Sequence, residues 1–251
     1  MTALGPAPAP APPAGDPVPA PPLVELRGVR AAYGTIEVLH GVDLSLMPGE
    51  VLAVLGPNGA GKTTTLNLIA GLPPLSGGDV FVAGRRTNGA SAADLARVGL
   101  CLVPEGRGIF PNLTVRENLR MAAHAGHDPR AVEEAAYERF PRLAQRRRQL
   151  AGTLSGGEQQ MLALARGLAT DPAVLVLDEL SMGLAPLVVE ELYGQVAELA
   201  RRGVSILVVE QFARVVLGVA DRAAIMLGGR VTDVGAPDEI ESKLSAAYLG
   251  G

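Results

Sequence analysis

The sequence is short of several residues on which whole classes of protein depend. It has one cysteine, Cys101, and no tryptophan among 251 residues. A single cysteine excludes an intrachain disulfide and any Cys-rich zinc site, and it fits a reducing compartment. Aromatic residues make up only 3%, so a tyrosine near a ligand site stands out. There is no basic excess: 22 Lys+Arg face 26 Asp+Glu for a formal charge of −4, which argues against phosphate-backbone binding and leaves nucleic acid off the expected partners. Lysine occurs only at Lys62 and Lys243. Long apolar runs are missing as well, for stretches such as Ala173 to Leu177 and Ile206 to Val209 fall far short of the roughly 20 residues that cross a bilayer.

What is present is ample for a packed core. Hydrophobic residues make up 48%, the mean hydropathy is +0.25, and the length suits one large α/β domain. Residues 1–22 are Pro and Ala in near alternation, without the basic block and apolar block of a signal peptide. They are expected to form a disordered or polyproline-like tail before a domain spanning 23–251. From Leu23 to Leu46 short apolar runs alternate with turn signals, which predicts a half-buried antiparallel β subdomain. Val51 to Leu55, Val174 to Leu177 and Ile206 to Val209 are instead continuously apolar, as strands covered on both faces of a parallel sheet are. Helical patterns between them complete a parallel, doubly wound core.

From about 114 to 170 the pattern predicts a helical subdomain. Thr114 with Glu117 has the form of a capping box, and Asp128 followed by Pro129 reads as an N-cap with proline at the first helical position. The basic run Arg146 to Arg148, with Arg142, reads as a solvated helix face. No internal repeat appears.

Gly56-Pro57-Asn58-Gly59-Ala60-Gly61-Lys62-Thr63 satisfies G-x-x-x-x-G-K-[ST] between the apolar strand ending at Leu55 and a helical stretch that includes Thr64. Glycines let successive backbone N–H groups point inward, and the helix adds its positive end. Lys62 brings a full charge to the β- and γ-phosphates, and Thr63 offers a hydroxyl to Mg²⁺. Asp178 and Glu179 end a buried strand, where parallel sheets place their ligands. Asp178 can reach Mg²⁺. Because side chains alternate along an extended chain, Glu179 points elsewhere and can accept a proton from water attacking the γ-phosphate, which makes it the candidate general base. These features leave GTPases, small-molecule kinases and motor ATPases open.

A second feature narrows the choice. In Leu154-Ser155-Gly156-Gly157-Glu158-Gln159-Gln160, Ser155 and Glu158 form another capping box, opening a helix with Met161, Leu164, Ala165 and Leu168 at helical spacing. The two glycines allow close approach to backbone N–H groups, so this helix start is a second anion site far along the chain from the first.

With these motifs the sequence resembles the ATP-binding cassette (ABC) transporter ATPases from about Leu23 to Gly251. The resemblance makes Leu154 to Gln160 the signature motif and Val174 to Glu179 the Walker B segment, and it offers Tyr33 as the aromatic that stacks on adenine. It implies ATP and Mg²⁺ as ligands, and two cassettes meeting head to tail so that the signature of one closes over the γ-phosphate on the other's P-loop. The runs Leu102 to Pro111, Asp178 to Pro186, Val209-Glu210-Gln211 and Ala247 to Gly250 look like the second ATPase subunit of branched-chain amino acid uptake transporters. That likeness implies a paralogous partner cassette and two membrane-spanning permease subunits, received in a groove near Glu105, Phe110 and Leu113. It also implies an indirect link to a substrate-binding protein and a place on the cytoplasmic face of the membrane. Cargo never touches a cassette, so another amino acid, an amide, urea or a lipid stays open, as does a soluble ABC ATPase or a regulatory module without turnover.

Four residues depart from the common cassette pattern: Glu105 replaces glutamine, Leu180 proline, Ala185 aspartate and Gln211 histidine. Glu105 adds charge near the metal and can still hold Mg²⁺ or its water. Gln211 can donate a hydrogen bond to the γ-phosphate but carries no positive charge, so it stabilises developing charge less than an imidazolium does.

Overall fold

A computed structural model describes residues 20–72, 75–106, 108–123 and 128–249. The predicted tail lies outside the described residues from 1 to 19. The first sheet is antiparallel, ordered β2-β1-β4-β5, with β1 (Val24–Tyr33), β2 (Ile36–Leu46), β4 (Leu75–Val82) and β5 (Arg85–Arg86). In β1 the apolar Val24, Leu26, Val29 and Ala31 are buried while Arg27 and Arg30 face solvent. The phase of that alternation is kept by a register shift between Leu26 and Val29, where the Gly28 N–H donates to Asp43 Oδ1 at 2.7 Å.

The second sheet runs β10-β9-β3-β8-β7-β6 among the described residues. Here β3 (Val51–Leu55), β6 (Leu100–Val103), β7 (Val174–Asp178), β8 (Ser205–Glu210) and β9 (Arg222–Leu227) are parallel, and β10 (Arg230–Gly235) is an antiparallel edge. β3, β7 and β8 are buried at every position, as their unbroken apolar runs require.

Strand alternation divides the sheet between two cores. Leu52, Val54, Val176 and Leu207 pack with the antiparallel sheet and α1 (Lys62–Ile69). Ala53, Leu55, Leu177 and Val208 pack with α6 (Gly156–Gly167) and α7 (Pro186–Arg201). The remaining helices are α2 (Ala92–Arg97), α3 (Val115–Ala122), α4 (Pro129–Arg139), α5 (Pro141–Gln145), α8 (Ala213–Leu217) and α9 (Pro237–Leu249).

Between β6 and β7 the described chain is mainly helical, with reciprocal caps at the starts of α3 and α6, a one-way cap at α4 and none at α5. The Thr114 N–H donates to Glu117 Oε2 at 2.8 Å and the Glu117 N–H to Thr114 Oγ1 at 3.2 Å. Asp128 Oδ1 accepts from the Arg130 N–H at 2.9 Å. The preceding loop is fixed by Asn118, which is fully buried. Its amide donates to the carbonyls of Phe110, Leu113 and Thr114, and its Oδ1 accepts from the Phe110 N–H. The basic run does not form a helix face: Arg146 to Arg148 lie in a turn after α5, where Arg146 pairs with Glu158, and Arg142 on α5 pairs with Glu191 at 3.1 Å.

α7 starts without a side-chain cap, because its N-cap residue is Ala185, whose backbone is already extended at φ −69 and ψ 146. The substitution Ala185→Asp supplies the missing acceptor and is expected to stabilise the chain by about 0.5–1.5 kcal/mol, raising the melting temperature by about 1–4 °C. A thermal melt showing no rise means that the carboxylate does not reach the first-turn amides.

Candidate functional site

The turn from Gly56 to Gly61 is held too closely to carry other residues at its ends. A Cβ on Gly56 would lie 2.1 Å from the carbonyl oxygen of Met226 on β9, and one on Gly61 would lie 2.6 Å from Leu39 Cδ2 on β2. Gly59 and Gly61 have φ of 79° and 102°, a region that favours glycine. Gly61 is also the N-cap of α1 and offers no side chain to cap it, so the amides of the first helical turn face a ligand position. Beyond them lies a cavity of about 280 Å³ lined by Asn58, Gly59, Lys62, Thr63, Thr64 and Glu179, with Val38, Gly61, Glu105 and Met182 completing its wall.

Lys62 is 4% exposed. Its Nζ donates to the carbonyls of Gly56 and Pro57 at 2.9 and 3.2 Å and lies 3.4 Å from Glu179 Oε1. At the cavity wall the Thr63 hydroxyl donates to Asp178 Oδ1 at 3.3 Å, Asp178 itself lying outside the lining. Burial raises the Asp178 carboxyl to about pKa 6; the Thr63 hydroxyl opposes this, the charges of Glu179 and Glu105 add to it, and Lys62 opposes it.

Glu179 does not continue the strand alternation from which its direction was expected. β7 ends at Asp178, and Glu179 has φ +48, so a left-handed backbone turn aims it into the cavity beside Lys62. Among the described residues no group of three His, Cys, Asp or Glu side chains could hold a metal by itself. The donors present are oxygens, Thr63 Oγ1 and Asp178 with Glu105 on the same wall. They fit Mg²⁺, which takes one or two carboxylates and completes its shell with phosphate and water.

Other expected site residues stand apart from this cavity. Tyr33 is 50% exposed on the β1–β2 hairpin, and Gln211 is exposed just beyond β8. Ser155 to Glu158 open α6 and do not line the cavity. There the Ser155 N–H donates to Glu158 Oε2 at 2.9 Å and the Glu158 N–H to Ser155 Oγ at 3.4 Å. Burial pushes the Glu158 carboxyl up, but the Ser155 amide and hydroxyl and the Arg146 guanidinium outweigh it and hold the carboxyl below its usual range. This box satisfies the amides of Ser155 and Glu158 and does not reach those of Gly156 and Gly157. Gly157 also has a packing reason, since a Cβ there would lie 2.3 Å from Val188 Cγ1.

Two polar side chains behind the site had no assigned role in the sequence. Glu210 ends β8 with 1% exposure, and Gln160 of α6 has 4%. The signal for Glu210 was a carboxylate directly after the apolar run Ile206 to Val209. A second cavity, of about 350 Å³, lies between β6, α3 and α6 and is lined by Pro104, Met121 and Arg166. Arg166 lies 4.7 Å over the Phe110 ring and donates to the Gly108 carbonyl. Leu113 is half-buried outside this lining. The lone thiol, Cys101, also lines the groove, and burial raises its pKa to about 11, so it stays protonated and unreactive.

The family model described as "ABC transporter" matches residues 39–181. The chain is 41% identical over 233 residues to the high-affinity branched-chain amino acid transport ATP-binding protein BraG of Pseudomonas aeruginosa, covering 91% of this chain and 100% of BraG. It is similar to the solved structure of a nucleotide-free ATP-binding cassette from an ABC transporter, at 26% identity and a TM-score of 0.79 over 89% of this chain and 95% of that one. It is also similar to a bacterial ABC transporter cassette solved as a dimer, at 25% identity and a TM-score of 0.77 over 85% and 98% of the two chains.

The raised pKa of Asp178 carries a stability consequence. The folded state holds the Asp178 proton more tightly than the unfolded chain does. The contribution of Asp178 to stability is therefore greatest below the unfolded value of 3.8 and is lost as the pH climbs through the folded value of about 6. Asp178→Asn, which keeps an acceptor for Thr63, is expected to raise the melting temperature of the nucleotide-free chain at pH 7.5, by an amount worth roughly 1–3 kcal/mol. The gain should shrink at pH 5. A gain equal at both pH values would place its origin outside the titration.

Proposed function

The chain belongs to the ABC transporter ATP-binding family, and from that membership we propose that it is the ATP-hydrolysing subunit of a branched-chain amino acid importer. The observation that carries the cargo is its likeness to BraG along the whole of that protein. The geometry supports a two-cassette site. A cradle and a second helix start suited to anions lie on one chain but not in one cavity, so a second cassette is needed to bring its own Ser155-to-Glu158 counterpart over the γ-phosphate. The partner in this reading is a paralogue, and the dimeric form of a related cassette supports the pairing.

In this reading the Gly56-to-Thr64 turn binds the phosphates, and Tyr33 stacks on adenine. The approaching phosphates draw Lys62 from the Gly56 and Pro57 carbonyls and from Glu179, which frees that carboxylate. Thr63 and Asp178 would hold Mg²⁺, with Glu105 beside them, and the ion would offset charge on the phosphate oxygens. Glu179 then accepts a proton from water as the water oxygen bonds to the γ-phosphorus and the bond to the β–γ bridging oxygen breaks. Gln211 donates to the γ-phosphate. Closure is driven by the γ-phosphate because both cassettes grip it only when closed, and its loss reopens the pair.

Two membrane-spanning subunits would ride on the cassettes, their cytoplasmic helices seated in the groove beside Pro104, Met121 and Arg166, with Phe110 at its edge. A substrate-binding protein would act on the outer side. Among the described residues no helix is long and apolar enough to cross a membrane, and the reading places the chain peripherally on the cytoplasmic face.

The test is reconstitution with the membrane proteins and second cassette encoded beside it, measuring ATP-dependent leucine uptake. Uptake is expected with the native chain and not with Glu179→Gln. With the partner cassette bound, Glu179→Gln should lower hydrolysis at its own site by about 10²–10⁴ while leaving nucleotide affinity within about threefold. ATP should double its sedimenting mass when the partner cassette is present. Uptake of another solute in place of leucine would replace the cargo and keep the ATPase.

A further inference from the structure

Behind the cavity, two hydroxyl side chains and one main-chain amide meet around a buried carboxylate. Glu210 accepts from the Ser181 N–H at 2.9 Å, from the Ser181 hydroxyl at 2.7 Å and from the Tyr193 hydroxyl at 2.6 Å. Every one of these donors is neutral. Tyr193, on α7, is 2% exposed, and its phenol is pushed well above the ordinary range by burial and by the charge and hydrogen bond of Glu210, so it stays a donor. Burying a carboxylate without a cation is costly unless hydrogen bonds replace its water. Two of its three bonds go to a single residue of the loop that carries Glu179.

That loop leaves the sheet where the ladder ends. Asp178 and Val209 are the last register pair of β7 and β8, and the Glu179 N–H still donates to the Val209 carbonyl at 3.0 Å. Beyond this point the strands diverge, and the Glu210 side chain takes over from the missing main-chain rungs by receiving the Ser181 amide. From the other side, Gln160 Nε2 of α6 donates to the Leu180 carbonyl at 3.0 Å. Residues 179, 180 and 181 are thus each tied to a different group. Glu179 itself sits at φ +48, a backbone state that a residue with a side chain keeps only when its surroundings over-determine it.

We propose that Glu210 is a positioning residue for ATP hydrolysis: its carboxylate fixes the Glu179-to-Ser181 turn on the end of β8, and so sets Glu179 against Gln211, which follows Glu210 directly. The proposal rests on the reading of Glu179 as the base. Glu210 touches neither nucleotide nor water in this scheme. It acts through the placement of the group that does, where displacements of about 1 Å can cost about 10²-fold in rate.

The test is steady-state hydrolysis by the full-length chain paired with its partner cassette, with ATP affinity and melting temperature measured in parallel. Glu210→Ala is expected to lower kcat by about 10- to 100-fold while KM and ATP affinity stay within about twofold. Glu210→Gln keeps one carbonyl oxygen for the Ser181 amide and should recover at least about tenfold of that loss. An unchanged kcat in Glu210→Ala, a KM that moves as far as kcat, or no recovery with glutamine overturns the proposal. Should Glu210→Ala not fold, Tyr193→Phe decides: the loss of one buried hydrogen bond lowers the melting temperature, the expected result is a kcat about two- to fivefold lower at unchanged ATP affinity, and full kcat overturns it whatever the melting temperature. Glu179→Gln is the reference. If it turns over normally, the base reading fails and this proposal with it; if it is inactive while Glu210→Ala is fully active, only this proposal fails.

Discussion

The β3–α1 turn has to aim its amides at one point while wedged between two neighbouring strands, and the rest of the fold is arranged around that demand. Its two ends have no room for a Cβ against Met226 and Leu39, so β9 and β2 act as the walls of a mould. β9 can be a wall because the order β9-β3-β8 puts it directly beside β3, and β2 because the antiparallel sheet packs on that face. Two layers that share no strand therefore shape one loop. The alternation of the central strands lets both layers bury against the same sheet without competing for side chains.

The site gathers charge that the fold would do better without. Lys62 and Glu179 lie 3.4 Å apart with little water around either, and Asp178 is ionised only against its surroundings. Each group is partly satisfied in the nucleotide-free chain by what lies nearest: loop carbonyls for Lys62 and the Thr63 hydroxyl for Asp178. Glu210 solves a different problem. It is buried with a full set of donors, and its bonds give direction to a neighbour.

Much of this was legible from residue order because it depends on local chemistry. The run Val51 to Leu55 and the glycines after it specify a buried strand and a turn that needs their backbone freedom. Thr114 with Glu117 and Ser155 with Glu158 mark helix starts through contacts only three residues long. What escaped was long-range. Asn118 reads as one more polar residue in a helix until the loop of Phe110 to Thr114 folds over it. The left-handed turn at Glu179 cannot be seen in a glutamate, and the bond from Tyr193 to Glu210 spans 17 residues. The packing of Gly157 on Val188 likewise depends on how two helices meet.

The hold of the loop on Lys62 has a bearing on discrimination. A lone ammonium facing an open cradle would welcome any small anion in the cell. Here an incoming ion has to outbid two carbonyls and a carboxylate for the same three protons. An anion that reaches only the lysine has to win that exchange alone, whereas a chain of phosphates is long enough to meet the amides of the turn as well. The contacts to Lys62 therefore set a threshold for whatever comes to share its protons.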